Sequence, residues 1–288
     1  MNTYVIYNKK SNNSNGATGA FKIKEIWTNK NLIYKELNEF ATYEELFAGI
    51  APDDEVVICG GDGTLNFLVN EVDCEQVPNP IYYYPTGTGN DFWNDLGKKA
   101  GDAPARINQY LVRLPKVTVN GMTRKFINGI GYGIDGYCCE VGDKQREEFG
   151  GKEINYTSIA IKGLLFHYKP THATVTVDGV TTEYDKCWLA PTMNGRFYGG
   201  GMMATPDQDR LNPERTVTTM VMYGAGKLAT LAAFPTIFKG EHVQKTKIVA
   251  VMTGKKVHVA FDRAVALQID GETVLNVKEY FVETASAE

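Results

Sequence analysis

The sequence predicts two units: an α/β lobe on a parallel sheet over residues 1–114, then an antiparallel β-sandwich over residues 115–288. Three observations carry that reading. In the first part, short apolar runs alternate with helix-like stretches, as parallel βαβ units require. After about residue 114, strand-like runs follow one another, separated by short polar turns such as DG and TG. Two glycine loops, GGDGT (60–64) and PTGTGNDF (85–92), each close an apolar run and open a helix-like pattern.

In the first unit, TYVIY (3–7) reads as a short buried strand and NKKSNNSNG (8–16) as a polar loop. Residues 17–30 read as helical and 32–36 as a strand. YEELFAGI (43–50) reads as a helix, with Thr42 as N-cap and Glu45 at the capping-box position. EVVIC (55–59) is apolar at both parities, which suits a strand buried on both faces. LNFLVNEV (65–72) has helical spacing, PIYYYP (80–85) is a strand, and NDFWNDLG (90–97) a short helix.

In the second unit the expected strands lie in KVTVNG, RKFINGIGYG, HATVTVDG, VTTEYDKCWLAP, TVTTMVMYG, TKIVAVMTG, KKVHVAF, VALQIDGETV and EYFVE. Helices are expected near 153–166 and 226–239. The strand text alone fits a sandwich or a barrel, and the sandwich is adopted. The last residues could return to the first unit. Two units imply a cleft, a common place for ligands.

Bulk properties exclude several classes. At 43% hydrophobic and 22% charged, the chain suits a globular protein with a full core. A net charge of −4 offers no basic field for nucleic acid. No secretory signal and no apolar run of spanning length is visible, so a cytoplasmic location is expected. Cys59, Cys74, Cys138, Cys139 and Cys187 show no paired spacing and read as reduced thiols. His167, His172, His242 and His258 lack metal spacing and read as surface or packing residues.

The chemistry sits in the glycine loops. GGDGT falls at a strand end and a helix start, the ligand-binding edge of a parallel sheet. Glycines let backbone approach a ligand closely, and helix-start amides suit a phosphate. Asp62 would repel that phosphate unless a cation or a hydroxyl donor intervenes, which suggests a Mg²⁺-dressed nucleotide. Taken alone, GGDGT is equally a tight turn with Asp62 as N-cap. PTGTGNDF repeats the arrangement on the next strand, so the two loops would lie side by side around one triphosphate. The lysine of a Walker A loop is absent from both. Asp270 and Glu272 sit on a DGE sequence whose spacing alone marks a hairpin turn.

GGDGTLNFLVNEV followed by PTGTGNDF resembles the diacylglycerol-kinase catalytic-domain superfamily, which includes bacterial soluble lipid kinases and the sphingosine and ceramide kinases. FINGIGYGID (126–135), NGRFYGGGM (194–202) and LQIDGE (267–272) extend the resemblance from about Tyr4 to Glu272. It implies a first lobe like that of NAD kinase and phosphofructokinase, and ATP-dependent phosphoryl transfer to the hydroxyl of diacylglycerol or a related lipid alcohol. By the same resemblance Asn8, Ser11, Gly60, Gly61, Gly63, Thr64, Leu65, Asn66, Phe67, Gly87, Thr88 and Asn90 would bind ATP. Asp62 would meet Mg²⁺ through Mg-ATP, and Asp270 or Glu272 would accept the hydroxyl proton.

The chain departs from the family in four places. The opening Asn-Pro-x-Ser-Gly loop reads Asn8, Lys9, Lys10, Ser11, Asn12 here. Phe67 stands where an acid is common, and only Asn38 and Thr42 are candidates for a threonine near the second strand. An Asp-Asp-Gly turn that holds a structural Mg²⁺ in many bacterial members is replaced by Asp209, Arg210, Leu211, Asn212, Pro213. The alternatives are an NAD kinase-like soluble-metabolite kinase, which GTGNDF opposes, and a catalytically weak nucleotide- or lipid-binding protein. The partners expected are a lipid alcohol, peripheral contact with the inner face of a membrane, and a homodimer through an exposed strand edge, but no nucleic acid. GKLATLAAFPTIFKG (226–240) offers Leu228, Leu231, Phe234 and Phe238 at helical spacing for a bilayer, against a core-packing role favoured by its thin polar face and Pro235.

Overall fold

A computed structural model of the protein describes residues 1–9, 16–87, 90–149 and 154–285. The chain divides into two compact units, Met1–Leu114 and Pro115–Glu288.

The first unit carries β1 (Thr3–Tyr7), α1 (Gly16–Phe21), α2 (Ile23–Ile26), β2 (Leu32–Glu36), α3 (Tyr43–Ala48), β3 (Glu55–Gly60), α4 (Asp62–Glu71), β4 (Ile81–Pro85), α5 (Asp91–Asp95) and β5 (Ala105–Arg106). Its sheet runs β2-β1-β3-β4-β5, with the first four strands parallel and β5 antiparallel at the edge. Strand β3 is buried at all its residues, as its uninterrupted apolar text requires of a central strand. The chain leaves β1 for β2 on one side and then crosses to β3 on the other. The carboxyl ends of β1 and β3 therefore flank the point where the strand order reverses, the usual ligand crevice of an open α/β sheet. At the opposite ends of the strands, the buried Glu55 carboxylate is held by Thr3 Oγ1 at 2.8 Å and by an ion pair with Lys30. The Lys30 ammonium lies 4.0 Å from the centre of the Trp27 ring. Thr42 caps α3 as expected, accepting the Glu45 amide at 3.2 Å, while Glu45 reaches back one residue past the N-cap to the Ala41 amide at 2.7 Å.

The second unit carries β6 (Lys116–Val119), β7 (Met122–Lys125), β8 (Gly129–Tyr132), α6 (Ile134–Phe149), α7 (Tyr156–Lys162), β9 (Thr171–Val177), β10 (Val180–Cys187), β11 (Thr192–Met193), β12 (Phe197–Tyr198), β13 (Met202–Met203), β14 (Val217–Met222), α8 (Lys227–Ala233), β15 (Val249–Gly254), β16 (Lys256–Ile269) and β17 (Glu272–Glu283). Its pairings are antiparallel, in the order β15-β14-β11-β8-β16-β17-β6-β7, with β9 joining β10 to β16. Three hairpins turn on Asn120-Gly121, Asp178-Gly179 and Asp270-Gly271, all with positive φ at both residues. That is the twist-matched two-residue turn, and Asn-Gly or Asp-Gly is its preferred sequence.

Two expectations are corrected here. KKVHVAF and VALQIDGETV are not separate strands: β16 runs through both, with a register shift between Ala260 and Val265. Its first half pairs with β9 and its last residues with β8, so the irregularity turns one strand between two faces of a sandwich. Helix α6 was not expected at all. Its glycines lower helix propensity, but each marks a close contact. A Cβ on Gly136 would stand 1.9 Å from the Ala266 carbonyl oxygen, and one on Gly142 would meet the Tyr156 ring at 2.8 Å. Tertiary packing of α6 onto β16 overrides local preference. The stretch 226–239 is α8 followed by a 3₁₀ turn from Phe234 to Lys239, the change falling at Pro235, which has no amide to donate.

The core of the second unit is aromatic. Tyr132 stacks on Phe261 at 3.9 Å, and Tyr280 donates to the Ala190 carbonyl at 3.0 Å. Cys59, Cys74 and Cys187 are buried free thiols. Among the described residues no helix is long and apolar enough to cross a membrane.

Gly136→Ala should push α6 off β16 and cost about 1–3 kcal/mol or more, the cost of overpacking against backbone. Urea unfolding of the variant, compared with Gly63→Ala, where a Cβ meets open space, checks this.

Candidate nucleotide and acceptor sites

Both glycine loops lie at the carboxyl edge of the parallel sheet and are bonded to each other. The Thr86 amide donates to the Gly60 carbonyl at 2.9 Å, and the Tyr83 hydroxyl to the same oxygen at 3.0 Å. A Cβ on Gly87 would lie 3.1 Å from the Gly61 Cα, so the loops touch through bare backbone. At Gly60, a Cβ would overlap Thr64 Oγ1 at 2.2 Å. Asn90 closes the second loop by donating to the Gly87 carbonyl at 2.8 Å.

Asp62 has a role that the sequence reading missed. Its carboxylate accepts the Asp91 amide at 2.8 Å and the Phe92 amide at 3.1 Å. It therefore caps α5, the helix of the neighbouring loop, in place of Asn90, which makes no side-chain cap. The ten-residue α4 begins differently: its N-cap is Gly61, which has no side chain to cap with. Of the two helix starts, α4 is the one left for an anion, and Asp62 ties the second loop in place beside it. The side chains nearby carry the electrostatics of a sealed floor. Burial, together with the Asp62 and Asp91 charges, pushes the Tyr83 phenol well above its ordinary value, so it remains a donor.

The other expected nucleotide residues divide. Asn8 follows β1 directly and is half-buried at the switch point. Ser11 and Thr88 lie outside the described residues. Leu65 and Asn66 are fully buried, so their side chains pack the unit rather than line the turn. Phe67 is 51% exposed on the outer face of α4.

The loops fit a nucleotide phosphate on two grounds. Gly61 and Gly63 keep the α4 start bare, and the buried Thr86 hydroxyl beside it, able to donate to a phosphate, has no hydrogen-bond partner among the described residues; Asn90 Oδ1, also without one, accepts only and suits a nucleotide hydroxyl instead. A protein-held metal fits less well. Among the described residues no group of three or more His, Cys, Asp or Glu side chains is placed to hold one. The expected contact of Asp62 with Mg²⁺ through Mg-ATP is a separate matter from a protein-held cluster, and the strut bonds occupy both of its oxygens with amides.

In the second unit, Asp270 occupies the first position of its hairpin turn. Its carboxylate accepts three consecutive amides, from Ile127 at 2.6 Å, Asn128 at 2.8 Å and Gly129 at 2.9 Å. The Asp270 amide returns a bond to the Gly129 carbonyl at 3.0 Å. Glu272, two residues on, pairs with Arg124 and keeps a third of its side chain exposed. The DGE turn is thus both a hairpin and a clamp on the chain entering β8.

Asp135 was not singled out from the sequence, although an acid ending the run INGIGYGI is a signal in itself. It is buried in the first turn of α6, where the Tyr198 hydroxyl donates to it at 2.6 Å. Burial pushes its carboxyl up to about 7, with the Tyr198 bond pulling the other way.

A glycine-lined helix start at the switch point of a parallel sheet, on a chain that continues into an antiparallel sandwich, is an arrangement suited to a nucleotide phosphate. Residues 2–120 match the diacylglycerol kinase catalytic domain, and residues 128–281 match the YegS C-terminal NAD kinase beta sandwich-like domain. The chain belongs to the diacylglycerol kinase catalytic-domain superfamily. A diacylglycerol kinase of Mycobacterium tuberculosis H37Rv is 29% identical over 213 residues, covering 72% of this chain and 66% of that protein. A provisionally named lipid kinase of Staphylococcus aureus MSSA476 is 28% identical over 232 residues, covering 77% and 72%. The crystal structure of a diacylglycerol kinase from Bacillus anthracis Sterne shares the fold, with a TM-score of 0.65, 21% identity and coverage of 99% and 94%.

The Asp135 carboxyl gives a pH signature. The folded chain keeps that proton to about pH 7, whereas the unfolded chain releases it near its ordinary value of 3.8. Between those values the folded state binds more protons, so this group's contribution to stability falls as pH rises. Asp135→Asn, which retains an acceptor for Tyr198, should flatten that part of the profile. Urea midpoints of both proteins between pH 4.5 and 7.5 are the check, and parallel profiles would contradict the assignment.

Proposed function

We propose that the protein is an ATP-dependent lipid kinase that transfers the γ-phosphoryl group to the hydroxyl of diacylglycerol or a related lipid alcohol. The observation that carries this reading is the Asp62 strut: it holds two glycine loops together and leaves the start of α4 open to phosphate. Gly61, Gly63 and Gly87 would admit the phosphates, the Thr86 hydroxyl would donate to them, and Asn90 Oδ1 would accept from a nucleotide hydroxyl. Mg²⁺ carried by the nucleotide would neutralise charge on the transferring group. On the acceptor side, Asp270 fixes the turn and one carboxylate of the Asp270–Glu272 pair takes the hydroxyl proton. Glu272 has the solvent access for it, and its ion pair with Arg124 holds the carboxylate in place.

The test is transfer from labelled ATP to a panel of diacylglycerol, ceramide, sphingosine, undecaprenol and NAD. Label on a lipid alcohol is expected, and label on NAD alone, or on nothing, overturns the reading. Asp62→Asn, Asp270→Asn and Glu272→Gln should each lower kcat by at least about a hundredfold. Asp270→Asn alone of the two turn variants should also lower the unfolding midpoint, since its side chain keeps only one of the two oxygens that accept the three amides and loses the charge.

A lipid kinase must reach a bilayer, and the second unit has a surface suited to it. Leu228 is 77% exposed and Phe166 is 73% exposed, on segments joined by a 2.7 Å bond from Lys227 Nζ to the Leu165 carbonyl. Ile161 and Phe238 are exposed near the same segments, and Lys162, Lys227 and Lys239 supply positive charge. Leu231 and Phe234 pack against the core instead, so the bilayer face of this helix is narrower than its spacing suggested. The occupant that fits is an anionic bilayer. Leu228→Ser with Phe166→Ser should cut co-sedimentation with phosphatidylglycerol vesicles, leaving transfer to detergent-dispersed acceptor intact. Undiminished sedimentation would exclude this surface.

A further inference from the structure

Arg210 lies deep in the second unit, 7% exposed, in a stretch where the family resemblance leads one to expect an acidic turn around a structural metal. Its guanidinium donates to the Ile127 carbonyl and, at 2.6 Å, to Asn128 Oδ1. It lies flat over Gly195, where an added Cβ would stand 2.1 Å from Nη2 and 2.4 Å from Cζ. Asn194 supports the same strand of chain, donating to the Ile127 carbonyl at 3.0 Å and, through its amide, to the Asn128 carbonyl at 2.9 Å. The opposite side of Ile127–Gly129 presents its three amides to Asp270. The segment therefore has a cation on its carbonyl side and a carboxylate on its amide side, the orientation that peptide dipoles favour.

The surrounding residues do not fit a metal ion. Asp209 is exposed, and its carboxylate accepts the Leu211 amide at 2.9 Å in a local turn. The oxygens on the inner side, from Ile127 and Asn128, are taken by the guanidinium. No group of three or more acidic, thiol or imidazole side chains gathers among the described residues, whereas a hard divalent cation needs about six oxygen ligands.

We infer that Arg210 is a built-in cation that replaces a structural metal, holding Ile127–Gly129 so that its amides fix Asp270. Arg210 is a positioning residue, acting on the DGE turn through the backbone. Its catalytic consequence rests on the lipid-kinase reading; its structural consequence does not. The planar fork reaches two acceptors at once, which a lysine cannot do with the same geometry.

The experiment is nucleotide-free thermal unfolding of the full chain in EDTA and in millimolar Mg²⁺, with amide hydrogen exchange read at Ile127, Asn128 and Gly129. The wild-type midpoint should be the same in both buffers. Arg210→Met should lower it and speed exchange at those three amides about tenfold or more, the equivalent of one lost charged hydrogen bond. Arg210→Lys should recover part of both effects. Gly195→Ala, which displaces the guanidinium without removing it, should give the same local exchange signature. A rise of the wild-type midpoint in Mg²⁺, or unchanged exchange at the three amides in Arg210→Met and Gly195→Ala, would overturn the inference. Where transfer to a lipid is measured, Arg210→Met should lower kcat and leave the KM for ATP unchanged. Absence of transfer to any acceptor counts against the kinase reading alone, because the unfolding and exchange arms need no activity.

Discussion

One interaction recurs in this protein, and both candidate sites depend on it: a carboxylate that accepts consecutive backbone amides of a neighbouring segment. Asp62 takes two amides at the start of α5, and Asp270 takes three at the entry to β8. Amides at a helix start or in an irregular segment have no ladder partner and must be satisfied by something. An anionic acceptor satisfies several at once with bonds stronger than neutral ones. The same carboxylates that would draw attention as reactive groups are therefore also what gives their loops a single geometry. In such a site, positioning and chemistry share atoms.

The two units differ in how they build order around these bonds. In the first, the parallel sheet fixes where β1 and β3 end, and glycines let the loops close to backbone contact. In the second, order comes from hairpins whose Asn-Gly and Asp-Gly turns set the register, and from aromatic packing of Tyr132, Phe261 and Tyr280. Asp270 belongs to both kinds of order, since its positive φ makes the turn while its carboxylate makes the clamp.

Local patterns were legible in the sequence, and tertiary partners were not. The bounds of β1 and β2 follow directly from short apolar runs between polar loops, and the Thr42 N-cap from its place before YEELFAGI. Helix α6 was invisible because Gly136 and Gly142 argue against a helix until the contacts with Ala266 and Tyr156 are known. The polar pair Asp262–Arg263 made β16 look like two strands, whereas a register shift absorbs it. At the candidate site, the glycine loops were recognisable by composition. The partners of Asp62, about thirty residues away, depend on which strands are neighbours, and so did the burial of Leu65 and Asn66. Arg210 showed only as a departure from a pattern; its role required the position of Gly195 beneath it.

The bend in β16 has a consequence for how the second unit comes apart. A single strand supplies hydrogen bonds to β9 through its first half and to β8 through its last residues, with β17 alongside both. Neither face of the sandwich can lose its pairing without loosening a strand the other face needs. Opening of this unit is thus shared between its faces rather than confined to one, and the DGE turn at the end of β16 inherits the protection of the whole sheet.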